Sequence, residues 1–347
     1  YSIDGGSSWL NVGAVSNNNA LLLRDTDLVR FVPNAQNATT GEITFRAWDQ
    51  TSGTAGSKVD TSTNGGSTAF STATETASIV VTDVNDAPTI TDASTYNLKG
   101  TDENTPSTGT LASAILAGSS WADVDIGALS GLAITGSSGK GTWQYSIDGI
   151  TWSNFGAVDA TNALLITSTT QVRYIPDGIA GETATFTYRA WDQTSGTAST
   201  NGTPSYADSS VNGGTTAFSA NVASASILVT DVNDAPVQDS IEGTPLSYTE
   251  NDGAVAVTST LTISDVDDTH IESAVVAITG NYTGGEDILS FTNQNGITGS
   301  WNAVTGELTL TGSATLAQYE AALRSITYTN TSENPSTATR TVTFTVN

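Results

Sequence analysis

Apolar and polar residues alternate without a break through Ala184-Thr185-Phe186-Thr187-Tyr188-Arg189-Ala190-Trp191. Ala184, Phe186, Tyr188 and Ala190 would face one way, and Thr185, Thr187, Arg189 and Trp191 the other. Ala223, Ala225, Ile227 and Val229 repeat the pattern, as do Ile43, Phe45 and Ala47. A period of two is that of a half-buried strand, and one dry face opposite one wet face predicts antiparallel sheets packed as a sandwich. Asp-Gly stands between strand-like runs in Ser2-Ile3-Asp4-Gly5-Gly6 and Ser146-Ile147-Asp148-Gly149-Ile150, a hairpin signal. Thr315-Leu316-Ala317-Gln318 has the form of a capping box and predicts a short helix with Leu316, Tyr319 and Leu323 on its buried stripe.

The chain also repeats itself. Tyr1-Ser2-Ile3-Asp4-Gly5 returns as Tyr145-Ser146-Ile147-Asp148-Gly149, Asn19-Ala20-Leu21-Leu22 as Asn162-Ala163-Leu164-Leu165, and Arg46-Ala47-Trp48-Asp49-Gln50 as Arg189-Ala190-Trp191-Asp192-Gln193. The period is near 145 residues, and the first copy lacks its leading third. Three units follow: residues 1–84, truncated; 85–232, with a long inserted loop; and 233–347, divergent. In the third unit Ala256, Leu261 and Ile263 come early, Leu289 and Phe291 midway, and Val342, Phe344 and Val346 read as the closing strand, with the next linker due after Asn347.

Between the units stands one heptapeptide. Thr82-Asp83-Val84-Asn85-Asp86-Ala87-Pro88 recurs letter for letter as Thr230-Asp231-Val232-Asn233-Asp234-Ala235-Pro236. Two carboxylates and an amide within four residues suit a hard cation such as calcium, which takes about six to eight oxygen ligands. A solvated Asp/Asn/Pro turn is the plain alternative. The proline stiffens the linker in either case.

This motif resembles the inter-repeat linker of cadherins, Asp-x-Asn-Asp-x-x-Pro, with the proline one place early. Its Thr-Asp-Val-Asn-Asp-Ala-Pro form looks like that of bacterial cadherin-like repeats in giant, RTX-adhesin-like surface proteins. The resemblance implies an all-β fold: tandem cadherin-like, immunoglobulin-like β-sandwiches joined by calcium-binding linkers. It also implies ligand sets. At the first junction these are Asp83, Asn85 and Asp86 with Asp123, Asp125 and Asp192. At the second they are Glu103 with Asp231, Asn233, Asp234, Asp265 and Asp267, and Asp268 as a partial substitute. The Asp-Arg-Glu that cadherins carry before their Ala-x-Asp strand is missing, so one or two ions per junction are expected rather than three.

Composition narrows the function. A formal net charge of −25 repels phosphate backbones and anionic lipid, so nucleic acid and membrane insertion are not expected. With no Cys, thiolate metals and cysteine nucleophiles are excluded. The acidic groups recur at repeat edges and His270 is the only histidine, so no enzyme is expected. The expected role is an extracellular or cell-surface, secreted segment: a calcium-stiffened stalk, adhesive or structural. Its partners would be neighbouring repeats of a longer chain, with lateral homo-assembly or a glycan or cell-surface ligand besides. The alternative is a carbohydrate-binding module of a secreted enzyme, using outward tryptophans. Trp48 and Trp191 would share that outward face with Arg46 and Arg189, where cation–π packing is the competing use. Residues 50–76 and 193–222 are rich in Gly, Ser, Thr and Asn. They read as long loops that stability does not need, with variable tips open to lateral contact.

Overall fold

Strands form where the alternation runs, in a computed structural model that describes residues 1–347. The first unit holds β1 (Ala20–Leu21), β2 (Thr39–Phe45), β3 (Lys58–Val59) and β4 (Glu75–Val81). The second opens with β5 (Thr95–Asn97), β6 (Thr101–Asp102), β7 (Thr110–Leu111) and helix α1 (Ala112–Gly118). It continues through β8 (Gly131–Ser138), β9 (Thr142–Ser146), β10 (Ser153–Asn154) and β11 (Ala163–Thr167). It closes with β12 (Gln171–Ile175), β13 (Glu182–Trp191), β14 (Tyr206–Ala207) and β15 (Ala223–Thr230). The third runs through β16 (Val237–Asp239), β17 (Val255–Ala256), β18 (Thr262–Ser264), β19 (His270–Gly280) and β20 (Asp287–Ser290). Then come β21 (Thr298–Asn302), β22 (Glu307–Thr315), helix α2 (Leu316–Arg324), β23 (Thr327–Asn330) and β24 (Thr341–Val346).

The second unit is a complete sandwich. One sheet runs β10-β9-β12-β7 and the other β14-β11-β8-β13-β15-β5, with β6 also on β15. The inward positions of β13 and β15 meet Trp143 and Tyr145 of β9 and Tyr174 of β12 in one core. Trp143 packs against Tyr174 and Phe186, both with ring centroids 4.9 Å away. Such contacts add to the stabilisation from burying the rings themselves. The Asp-Gly hairpin forms between β9 and β10. Its turn is longer than two residues and is organised by Asp148, whose carboxylate accepts from the amides of Ile150 and Thr151.

The first unit repeats part of the second. β1 and β3 pair as β11 and β14 do, and β2 and β4 pair as β13 and β15 do. Among residues 1–84 nothing stands in the place of β8, which joins those two pairs in the second unit, so the sheet lies in two pieces. Ile43, Phe45 and Ile79 are 43–51% exposed, where their counterparts Phe186, Tyr188 and Ile227 are buried.

In the third unit the capping box forms as expected, with Thr315 and Gln318 each bonding the other's backbone amide. The closing strand does not. β19 lies between β22 and β24 just as β8 lies between β11 and β13. Thr343-Phe344-Thr345-Val346 thus matches Thr185-Phe186-Thr187-Tyr188, and β24 is the counterpart of β13, not of β15. Alternation alone is the same for either strand; only the pairing distinguishes them.

The long loops are also corrected. Trp191 lies on the outer face but is 1% exposed, not wet, and forms a second small core with Leu165, Ala217 and Phe218. The loop after β13 folds back over the outer sheet face, supplies β14 to β11 and returns through the Trp191–Phe218 bridge. Gly131 makes room for this, since a Cβ there would lie 2.8 Å from the Trp191 indole. A loop with buried aromatics contributes to stability, and its tip carries Tyr206 against the main core.

Candidate metal centres at the two linkers

At the first linker the backbone bends so that side chains of the second unit close over it. The Asp86 amide donates to Asp125 Oδ2 (2.9 Å), and the Asp125 amide donates to Asp123 Oδ1 (3.0 Å). Asn85 Nδ2 donates to Asp192 Oδ2 (3.0 Å) and to the Thr216 carbonyl (3.1 Å). Asp192 is buried, and its Oδ1 accepts from the amide and hydroxyl of Thr194. Asp83 turns the other way, accepting from the Ala38 amide of the upstream unit (3.0 Å). Five of the six expected residues thus converge, and Asp83 ties the linker back to the unit it leaves.

The second linker repeats the geometry. The Asp234 amide donates to Asp267 Oδ2 (2.9 Å), and the amides of Asp267 and Asp268 both donate to Asp265 Oδ1. Asp231 accepts from the Gly181 amide (2.7 Å), as Asp83 does from Ala38. Glu103 reaches in from the upstream unit, only 1% exposed, and its Oε1 accepts from the Val232 amide (3.2 Å). Asn233 bonds only the carbonyl of Asp234. Asp265, Asp267 and Asp268 can bring one oxygen each within 4.8 Å of one another.

What these clusters lack is positive charge. Asp123 Oδ2, Asp125 Oδ1, Glu103 Oε2 and Asp267 Oδ1 are buried with no hydrogen-bond partner. No salt bridge in the molecule involves a linker carboxylate. Burial pushes the Asp123 carboxyl up, and repulsion from Asp125, Asp192 and Asp86 adds to it. Burial likewise pushes Glu103 up, together with the neighbouring Asp231 and Asp234. At Asp267 the Asp234 amide is outweighed by the Asp265 carboxylate and by burial, so it too is raised. Unpaired buried carboxylate oxygens are costly unless a cation or proton neutralises them. The oxygen-only donor set, with no imidazole or thiolate, is the chemistry of a hard ion.

The other candidate chemistry is accounted for locally. Trp9 and Trp152 carry the cation–π contacts, each with a guanidinium 4.1 Å from its ring centre, Arg30 and Arg173 respectively. Arg46 and Arg189, expected to stack on Trp48 and Trp191, instead donate to loop carbonyls of Ser71 and Thr72, and of Ser219 and Ala220. The repeated Arg-Ala-Trp thus closes the loop. His270 is exposed at the start of β19, beside the Thr269 hydroxyl.

No protein-family model matches the chain. Over 87 residues, 24% of this chain, it is 38% identical to Halomucin of Haloquadratum walsbyi (strain DSM 16790 / HBSQ001), and that stretch is about 1% of the relative's length. Among solved structures, extracellular cadherin domains 1–4 of protocadherin gamma B7 align over 96% of this chain and 65% of theirs, at 14% identity and a TM-score of 0.30. The C-terminal domain of the Streptococcus agalactiae AgI/II polypeptide BspA aligns over 70% of this chain and 88% of its own, at 9% identity and a TM-score of 0.15. The all-β architecture itself rests on the strand pairing described above. No helix is long and apolar enough to cross a membrane.

Proposed function

We propose that both linkers bind calcium and that the chain is a calcium-stiffened stalk segment of a large extracellular surface protein. The observation that carries this reading is the pair of buried clusters of carboxylate oxygens without partners, Asp123 and Asp125 at one junction, Glu103 and Asp267 at the other. Asn85, Asp86, Asp123, Asp125 and Asp192 would hold ions at the first, with Asp83 tying the linker to the unit it leaves. Glu103, Asp231, Asn233, Asp234, Asp265, Asp267 and Asp268 would do so at the second. The ion supplies the missing positive charge and ties the upstream unit, linker and downstream unit together. Modest-affinity carboxylate sites of this kind fit the extracellular range, about 10⁻⁴–10⁻³ M. The 87-residue similarity to about 1% of a very long protein supports a place within a much longer chain. Small-angle scattering with and without chelator, alongside calorimetric titration, tests the reading. Calcium should lengthen the maximum dimension and release heat at saturable sites, and neither happening would end it.

A further inference from the structure

Gly213-Gly214-Thr215-Thr216-Ala217-Phe218-Ser219 brings the long loop after β13 back to the sheet. Gly65-Gly66-Ser67-Thr68-Ala69-Phe70-Ser71 repeats it in the first unit, with Ser67 in place of Thr215. The turn folds alike in both. The Gly213 amide donates to the Phe218 carbonyl (2.8 Å) and the Thr216 amide to the Gly213 carbonyl (3.2 Å). Gly65 donates likewise to Phe70 (2.8 Å), and Thr68 to Gly65 (3.1 Å). Left-handed residues open the turn, Gly213 and Gly214 with φ of 71° and 59°, Gly65 and Gly66 with φ of 77° and 59°. Side chains rarely adopt that backbone, so the Gly-Gly pair is what the turn requires. Its shape follows from its own residues.

In the second unit this turn lies against the first linker. The Ala87 amide donates to the Gly214 carbonyl (2.8 Å), and Asn85 Nδ2 donates to the Thr216 carbonyl (3.1 Å). The Ala217 carbonyl, next along, accepts from the Asp192 amide (3.1 Å), and Asp192 Oδ2 accepts from Asn85 Nδ2 (3.0 Å). Gly214–Ala217 thus holds the linker and the buried carboxylate beside it. The turn is anchored on both sides. After it, Phe218 packs on Trp191 in the small outer core. Before it, Asn212 Nδ2 donates to the carbonyls of Ser209 and Ser210, and the buried Ser209 bonds the Ala160 carbonyl through both its amide and its hydroxyl.

We propose that Gly213–Thr216 is a clasp that sets the first linker against the second unit before any ion binds. Gly214 is its positioning residue. Its carbonyl takes the last linker amide before Pro88, which has none to give. The clasp's effect on the ion rests on the calcium reading above. With Asn85 and Asp192 already gathered, an ion has less chain to order, and it binds the first junction more tightly than the same linker would without the clasp.

The cleanest test replaces Ala87 by its α-hydroxy analogue, lactic acid. The amide becomes an ester, so one donor is deleted and no side chain changes. Spin labels on either side of the first linker, read in chelator by pulsed dipolar spectroscopy, should show a broader distance distribution than in the unmodified chain. Calcium affinity should fall about fivefold at the first junction, the size of one hydrogen bond, and stay unchanged at the second. Gly214→Val, β-branched at a left-handed position, should act the same way with a loss of about tenfold, and Gly214→Asn, which tolerates that backbone, should recover most of it. Unchanged distances in chelator for the ester chain overturn the clasp. So does a Gly214→Val chain that melts lower while its linker distances and calcium affinity stay intact, because the turn would then serve only the outer core. If the unmodified chain takes up calcium at neither linker, the calcium reading falls alone, and the distances in chelator still decide the clasp.

Discussion

At the first junction Asn37, from the upstream unit, donates through Nδ2 to the Val124 carbonyl (2.8 Å) and accepts from the Ile126 amide (2.9 Å). At the second, Ala180 stands in the equivalent place, one residue before the Gly181 that matches Ala38. No hydrogen bond joins the body of the second unit to that of the third. At the second junction the buried, half-partnered Glu103 reaches in from the upstream unit. The same seven-residue linker therefore serves two joints of different character. The first carries the Asn37 clamp across it, and the second, with Ala180 in that place, does not. Stiffness in the second depends more on whatever neutralises its carboxylates.

Removing the cation should expose this difference most. With calcium at about 100 times its dissociation constant, each site adds about 2.7 kcal/mol to the folded state. Chelation should lower the melting temperature by several degrees and broaden interdomain distances at both junctions, more at the second. Spin labels on either side of each linker, read by pulsed dipolar spectroscopy, would measure it. Equal broadening at both would show that the Asn37 clamp does not matter.

Next in size is Glu103→Gln, which keeps the shape and removes the charge. With calcium it should weaken binding at the second junction about tenfold and leave the first unchanged, since repeats couple mainly to neighbours. In chelator the sign reverses. Glu103 is pushed above its ordinary range by burial and by Asp231 and Asp234, so a neutral amide is the easier group to bury. Calcium titration and thermal melting of the variant, in both conditions, decide the matter. Destabilisation in both would make Glu103 a structural group and not a ligand.

A smaller effect comes from pH. Glu103, Asp123 and Asp267 are raised in the fold. Their stabilising contribution is full below the ordinary carboxylate value and is lost as pH rises through the raised ones. In cation-free buffer the chain should therefore melt slightly higher at about pH 5 than at pH 7. Below about pH 4 the trend should turn, because Asp4, Asp148 and Glu242 are lowered by hydrogen bonds and lose their contribution as they protonate. With calcium present acid should only destabilise, as protons compete for the ligands. Melting curves across this range in both buffers would show the reversal or its absence.

Much of this was readable from residues whose signal is local. Alternation in 184–191 and 223–229 marked β13 and β15, the duplicated linker marked both junctions, and Thr315–Gln318 marked α2. Helix α1 also carried a signal that the strand pattern overshadowed, with Ala112, Ile115 and Leu116 at helical spacing. What stayed hidden depends on distant partners. Alternation put Trp191 on a wet face because nothing local announces that a polar loop will return over it. Arg46 and Arg189 sit beside tryptophans in sequence, but their guanidinium groups follow the loop carbonyls. β24 reads like any final strand until its pairing with β19 shows which strand of the second unit it matches.

Asn37 carries no motif at all, and it gives the finest test of the comparison. An exposed pair of neutral hydrogen bonds contributes about 1 kcal/mol or less each. Asn37→Ala should thus change global melting little. Its effect belongs to the joint, since both bonds cross from the first unit to the loop around Asp125. In chelator the variant should make the first junction as loose as the second. With calcium the ion should mask most of the change, because the linker carboxylates then hold the units together. The converse, Ala180→Asn, should tighten the second junction in chelator only if the loop after Asp265 presents a carbonyl and amide as Val124 and Ile126 do. The counterpart positions are Val266 and Asp268, and the Asp268 amide is already committed to Asp265. The gain at the second junction should therefore be smaller than the loss at the first. Dipolar distances for the two variants, in chelator, measure that asymmetry. A gain equal to the loss would mean that the Asp265–Asp268 turn rearranges to receive the new side chain.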